Sequence, residues 1–270
     1  MEIAISNLPF LGLSTGSMRH LPKELGIEIF CECGNDYYWR HLIPKLMEGR
    51  EGSLSVHGPF QRLDLSDPAA DFEEMKAAYR WAFELCRDHG AHHCVCHPYE
   101  SARPLDDTPE RLEQARRTSL ERVLYLTRMA EPYGVELLVE NMPNARPMLD
   151  QQAFLDLFAP QPELNFLIDT GHALLRNWDM DLAFRTLGRR IKAFHLHDNL
   201  GDFDSHLIVG RGKFDWDGFF TGYTRYTPEA TLVCEYNAGT IEEILESVDG
   251  IRNQISAHTP KNLSEKENER

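Results

Sequence analysis

A chain of 270 residues with 42% hydrophobic content can form one large α/β domain or two small ones, with ample material for a core. Its formal net charge of −15, with no long basic run, makes nucleic acid an unfavourable partner. The start MEIAISNLPF lacks the pattern of a signal peptide, no segment approaches the about 20 apolar residues of a membrane span, and six cysteines match neither a disulfide scaffold nor a zinc ribbon, so a soluble cytoplasmic protein with free thiols is expected.

In chain order, short β-rich runs alternate with helical stretches. The runs are EIAIS (2–6), GIEIF (26–30), SLSVH (53–57), HCVCH (93–97), ELLVE (136–140), NFLID (165–169), IKAFH (191–195) and TLVCE (231–235). Between most of them lie segments with helical apolar spacing, such as DFEEMKAAYRWAFELCRDHG, opened by acidic or capping residues and closed by glycine. Strand, helix, strand in repetition predicts parallel strands. Eight of them in this length predict a single-domain (β/α)8 TIM barrel over residues 1–256, since about 250 residues is typical of that fold. An open doubly wound sheet is the alternative, but no G-x-G-x-x-G follows the first strand. The polar stretch AHTPKNLSEKENER (257–270) is expected to be disordered, and no internal linker marks a second domain.

Period-two alternation then assigns faces. Ser53, Ser55 and His57, Val95 and His97, Leu138 and Glu140, Leu167 and Asp169, Ala193, His195 and His197, and Val233 and Glu235 are predicted to face the barrel interior. Six consecutive strands thus end inward in His57, His97, Glu140, Asp169, His195 and Glu235, at the carboxyl end where barrel active sites collect. Carboxylates converging in a partly desolvated mouth repel one another unless a cation lies between them. Imidazole together with carboxylate suits Zn2+, Mn2+, Fe2+ or Co2+ better than Ca2+ or Mg2+. The loops add His172, three residues past Asp169, and Asp204 and His206, two apart after the seventh strand.

The segments HGPF, CHP, VEN, DTGH, HLHDN, DSH…GRG and CEYN follow in this order along nearly the whole chain. In them the chain resembles the xylose isomerase-like TIM barrels, a superfamily that includes endonuclease IV (AP endonuclease family 2) and sugar and sugar-phosphate isomerases and epimerases. The endonuclease IV pattern implies one zinc on His57, His97 and Glu140, a second on Glu140, Asp169, His195 and Glu235, and a third on His172, Asp204 and His206, and all nine positions are filled. The epimerase pattern implies one ion on Glu140, Asp169, His195 and Glu235, with His172 beside the substrate. Either way the implied cofactor is a divalent metal, Zn2+ or Mn2+, as one to three ions.

As an isomerase or epimerase, the resemblance implies, the protein would bind the carbonyl and adjacent hydroxyl of a ketose or aldose on the ion. Glu140 and Glu235 would remove and return a proton through an enediolate, and His172 would stabilise the oxyanion. Arg146, Arg176, Arg211 and Lys213, in loops after strand ends, are candidate anchors for a substrate phosphate or carboxylate. A multinuclear zinc phosphodiesterase is the alternative, and a metal-dependent dehydratase or lyase a third reading. The acidic net charge and the three aspartates of GPFQRLDLSDPAAD weigh towards a small-molecule carbohydrate substrate, while a homo-oligomer stays compatible with everything above. Taken singly, an inward histidine is more often a hydrogen-bonded core residue than a ligand, and only the joint pattern reverses that. His197 and Asp198 read as supporting groups, Cys94 and Cys96 as outward packing residues and Trp216 as packing. Glu28 and Glu32 read either as mouth groups facing substrate or as capping and surface residues.

Overall fold

The computed structural model describes residues 1–99, 108–143 and 149–259. Its eight strands are β1 (Ile3–Ser6), β2 (Gly26–Phe30), β3 (Leu54–His57), β4 (His93–Cys96), β5 (Glu136–Glu140), β6 (Asn165–Asp169), β7 (Ile191–Leu196) and β8 (Thr231–Cys234). They pair in sequence order, all parallel, and β8 closes on β1 through Leu232 opposite Ile3 and Val233 opposite Ala4. Closure excludes the open-sheet alternative and establishes the (β/α)8 barrel. Each strand lies within one residue of its expected position.

The outer helices are α1 (Asp36–Met47), α2 (Phe72–His89), α3 (Pro109–Ala130), α4 (Gln151–Phe158), α5 (Thr170–Leu175), α6 (Met180–Leu187), α7 (Trp216–Tyr226) and α8 (Ile241–His258). Their starts are written locally. Asp71 accepts from the backbone N–H of Glu73 and Glu74, Thr108 precedes a proline at the first position of α3, and Thr240 with Glu243 forms a capping box. Helix α8 runs to His258, so the first two residues of the stretch expected to be disordered continue the last helix; 260–270 lie outside the described residues.

Two apolar clusters show which way the strands face. The large one, between strands and helices, takes Leu54, Val56, Cys94, Cys96, Leu137, Val139, Phe166, Ile168 and Phe194. The small one consists of Val95, Leu138, Leu167 and Ala193 and fills part of the barrel interior. Cys94 and Cys96 therefore pack outward, and all six cysteines are free. Among the described residues, no helix is long and apolar enough to cross a membrane.

Candidate metal centre

Two residues beyond Val95, Leu138, Leu167 and Ala193 stand His97, Glu140, Asp169 and His195. The period of two carries each of these side chains to the same inner face, one layer higher, at the carboxyl end of its strand. His57 ends β3 and Glu235 follows β8, completing the ring. His57, Glu140, Asp169, His172, His195 and Glu235 are all buried, while His97, Asp204 and His206 are partly open at the rim.

The nine side chains gather into three adjoining groups. In the first, Glu140 Oε2 lies 3.0 Å from His97 Nε2 and 3.7 Å from His57 Nε2. In the central group, His195 Nδ1 faces Glu140 Oε1 at 3.3 Å, Glu235 Oε2 at 3.5 Å and Asp169 Oδ2 at 3.8 Å. In the third, Asp204 Oδ2 lies 3.1 Å from His172 Nε2 and 3.2 Å from His206 Nε2. Glu140 contributes one oxygen to each of the first two groups. Donors about 2.0–2.1 Å from a tetrahedral zinc stand about 3.3 Å apart, so the donors of each group lie close enough together to hold an ion, while several of the pairs also have hydrogen-bond distances.

Hydrogen bonds on the far side of each ring sharpen the fit. His57 Nδ1 donates to the Gly58 carbonyl at 3.1 Å, His172 Nδ1 to the Asn141 carbonyl at 2.7 Å and His206 Nδ1 to the Glu235 carbonyl at 2.9 Å. A carbonyl only accepts, so Nδ1 carries the proton in all three and each neutral ring turns a bare Nε2 towards a carboxylate. Lone pair against carboxylate is repulsive in a buried place unless the ring takes a second proton or a cation lies between. A divalent ion would meet that need in the first and third groups.

The electrostatics tell the same story with protons standing in. Burial opposes charge on His195, yet Glu235, Glu28 and Glu140 push it well above its ordinary value; burial likewise opposes His172, and Asp169 and Asp204 push it up. For His206 burial is outweighed by Asp204 and Glu235, which push it up to about 9. His97 goes the other way, because burial exceeds the pull of Glu140. Burial raises Glu140, but His195 and His97 hold it well below the usual carboxylate range. Glu235 is raised by burial with Asp169 and Glu140, against His195 and His206.

Asn141, Gly171 and Phe30 escaped the sequence reading, whereas His197 was expected as a supporting group. Asn141 ties β5 to β6: its Oδ1 accepts from Asp169 N–H at 2.7 Å and its Nδ2 donates to the Asp169 carbonyl at 3.1 Å. His197 donates from Nε2 to Asp169 Oδ2 at 2.8 Å, and its ring stacks on His206 at 3.8 Å, linking the central and third groups. That ring lies where a Cβ on residue 171 would be, 2.0 Å from His197 Cε1, so Gly171 is required by contact. Phe30 stacks on His57 at 4.1 Å. Inward parity on β2, shared with Glu28, was the signal for Phe30, and the packing could not be read from it.

The loop after β7 is shaped by Asp198, whose carboxylate accepts from Trp216 Nε1 at 2.8 Å and from the N–H groups of Gly210 and Phe214. An antiparallel bridge between Asp198 and Leu207 returns the chain to the mouth and holds His206 at a φ of +46°, an uncommon conformation for a residue with a side chain. The loop then turns outward and carries two expected anchors away from the mouth. Arg211 is exposed and paired with Glu243 at 3.0 Å, and Lys213 lines a separate cavity with Trp178 and Phe214. Arg146 lies outside the described residues. Trp216 packs against Phe214, Phe219 and Phe220. Glu32 accepts from the N–H groups of Phe60 and Gln61 at 2.9 Å each, which seats the loop carrying Phe60.

The ring opens into a cavity of about 230 Å³. His57, His97, Glu140, His172, Asp204, His206 and Glu235 form its floor, and Leu8, Phe30, Phe60, Met142 and Pro143 an apolar wall. No lysine or arginine lines it among the described residues.

A family model described as xylose isomerase-like TIM barrel matches residues 37–256. The chain belongs to this family. A relative in Methanocaldococcus jannaschii, the uncharacterised protein MJ1311, is 30% identical over 237 residues, covering 80% of this chain and 77% of its own. Among solved structures, a D-tagatose 3-epimerase-like protein superposes with a TM-score of 0.79 at 21% identity, covering 96% of this chain and 98% of that one. The TTHB071 protein of Thermus thermophilus, soaked with ZnCl2, gives 0.70 at 23% identity, covering 95% and 99%. Structures of a D-psicose 3-epimerase and of an AP endonuclease of family 2 share the same barrel. At these identities the likeness is one of fold.

Proposed function

We propose that this family member is a divalent-metal-dependent isomerase or epimerase of a small carbohydrate, with zinc or manganese as the ion. The observation that carries the reading is the central group: Glu140 and Glu235, from strands β5 and β8, converge on His195 Nδ1 beneath a cavity smaller than the about 300–1,000 Å³ of drug-sized sites. Such a cavity suits a small ligand better than a polymer. The sugar-epimerase names among proteins of this fold support the same class.

Glu140, Asp169, His195 and Glu235 would hold the ion. When bound, it supplies Lewis acidity towards a carbonyl and its neighbouring hydroxyl. Glu140 and Glu235 approach the cavity from different sides, so that one takes the proton from the carbon next to the carbonyl and the other returns one from across the site. His172, fixed by Asn141 through Nδ1–H, turns Nε2 to Asp204 and the cavity, and in the doubly protonated form that Asp169 and Asp204 favour against burial it would donate from Nε2 towards the oxygen on which charge develops. The apolar wall keeps water from the exchanged proton.

One observation favours a second reading, a multinuclear phosphodiesterase. All nine donors are assembled, including His57, His97, Asp204 and His206, which a single-ion epimerase leaves idle. Metal content per chain, on protein purified without chelator or nickel, separates the two. About one ion, together with solvent-deuterium exchange into a ketose that is lost in Glu140→Gln or Glu235→Gln while metal is kept, supports the isomerase. Two or three ions with no exchange, and cleavage of an abasic-site duplex, would move the assignment to hydrolysis.

A further inference from the structure

We infer that Glu28 is a positioning residue for the central group, holding His195 so that Nδ1 is the nitrogen offered to an ion. The inference rests on the reading of His195 as a ligand.

Glu28 sits in the middle of β2, fully buried, and in register with Ser6 on β1 and Ser55 on β3. It does not line the cavity, which removes it from the candidate substrate contacts. Instead it reaches across the lumen to β7, a strand separated from β2 by β8 and β1, and its Oε1 accepts from His195 Nε2 at 2.8 Å. Its other oxygen accepts from Ser55 Oγ at 2.9 Å and lies 3.6 Å from His93 Nε2. Burying a carboxylate is costly, and the other half of this interior is filled by Val95, Leu138, Leu167 and Ala193. Glu28 is therefore retained for what it bonds.

That bond fixes the tautomer. With Nε2–H given to Glu28, the lone pair of neutral His195 is on Nδ1, which faces Glu140, Glu235 and Asp169. In His57, His172 and His206 the pattern is reversed: there a backbone carbonyl takes Nδ1–H and Nε2 faces the carboxylates. The central histidine has a carboxylate behind it instead, which both orients the ring and raises its basicity as a ligand.

The test is zinc affinity by chelator competition, with a 15N long-range spectrum of the histidine rings as a second readout. Wild type is expected to bind an ion that His195→Ala loses. Glu28→Gln, which keeps the size but not the charge, is expected to weaken that ion by about 10–100-fold. Ser55→Ala should lose less, since the bond to His195 stays. In zinc-loaded wild type, His195 is expected to keep its proton on Nε2 and to bind through Nδ1; this readout stands even if Glu28→Gln does not fold. Unchanged zinc affinity in folded Glu28→Gln, or His195 bound through Nε2, overturns the role of Glu28 while leaving His195 a ligand. Unchanged affinity in His195→Ala instead overturns the ligand reading, and with it this one.

Discussion

Gly171→Ala probes how the central and third groups are coupled. A Cβ at this position would stand 2.0 Å from His197 Cε1 and 2.4 Å from Nδ1, whereas ordinary contact begins at 3.4 Å. The imidazole must withdraw by well over an ångström, and the 2.8 Å bond from its Nε2 to Asp169 cannot survive that movement. Overpacking costs about 1–3 kcal/mol, and a lost hydrogen bond to a buried carboxylate about 1.5–3 kcal/mol. Against this, alanine in place of glycine in a helix returns about 1 kcal/mol. The net is about 3 kcal/mol, a fall in Tm of about 6–12 °C for a domain of this size. Thermal unfolding of the single and double variants with His197→Ala provides a cycle. With the ring removed, Gly171→Ala should become nearly neutral. An equal loss in both backgrounds would refute the argument that ring contact makes the glycine necessary.

Further outcomes follow from the same structure. Because His206 is pushed up to about 9, the metal-free protein gains stability from it below pH about 6.5 and loses it as pH rises through about 9, and His172 and His195, pushed well above their ordinary value, act in the same direction. An ion replaces those protons, so the Tm difference between zinc-loaded and chelator-treated protein should widen from pH 6 to 9; a constant difference would contradict the tautomer argument. Arg122 donates to the carbonyls of Asp67 at 2.7 Å and Ala70 at 3.1 Å, so Arg122→Met should cost about 2–4 kcal/mol in urea unfolding and speed proteolysis of the loop after β3. Neutral behaviour would show that loop to be held otherwise. Asn141→Leu removes both side-chain bonds between β5 and β6 and should lower stability by about 2–4 kcal/mol together with zinc affinity; a loss of stability alone would separate that link from the centre.

The sequence by itself determined the eight strands, their parallel order and the inward set, because a period of two with a buried outer face leaves each strand one choice of register. It also determined the six side chains at the strand ends that meet at the mouth, since strand ends in a closed barrel converge whatever the loops do, while His172, Asp204 and His206 outside the strands were expected from their spacing and the resemblance. The resemblance already implied how those nine divide; the tertiary structure decided which nitrogen of His57, His172, His195 and His206 faces inward, and that Glu140 turns a separate oxygen to each of its two groups. It also moved Arg211 and Lys213 away from the cavity, through the turn built on Asp198, and placed Glu28 beneath His195 rather than against substrate. Those outcomes depend on contacts between residues up to 167 positions apart, where a few tenths of an ångström decide whether a donor meets an acceptor or an ion. Local alternation carries the direction of a side chain, and only packing carries its partner.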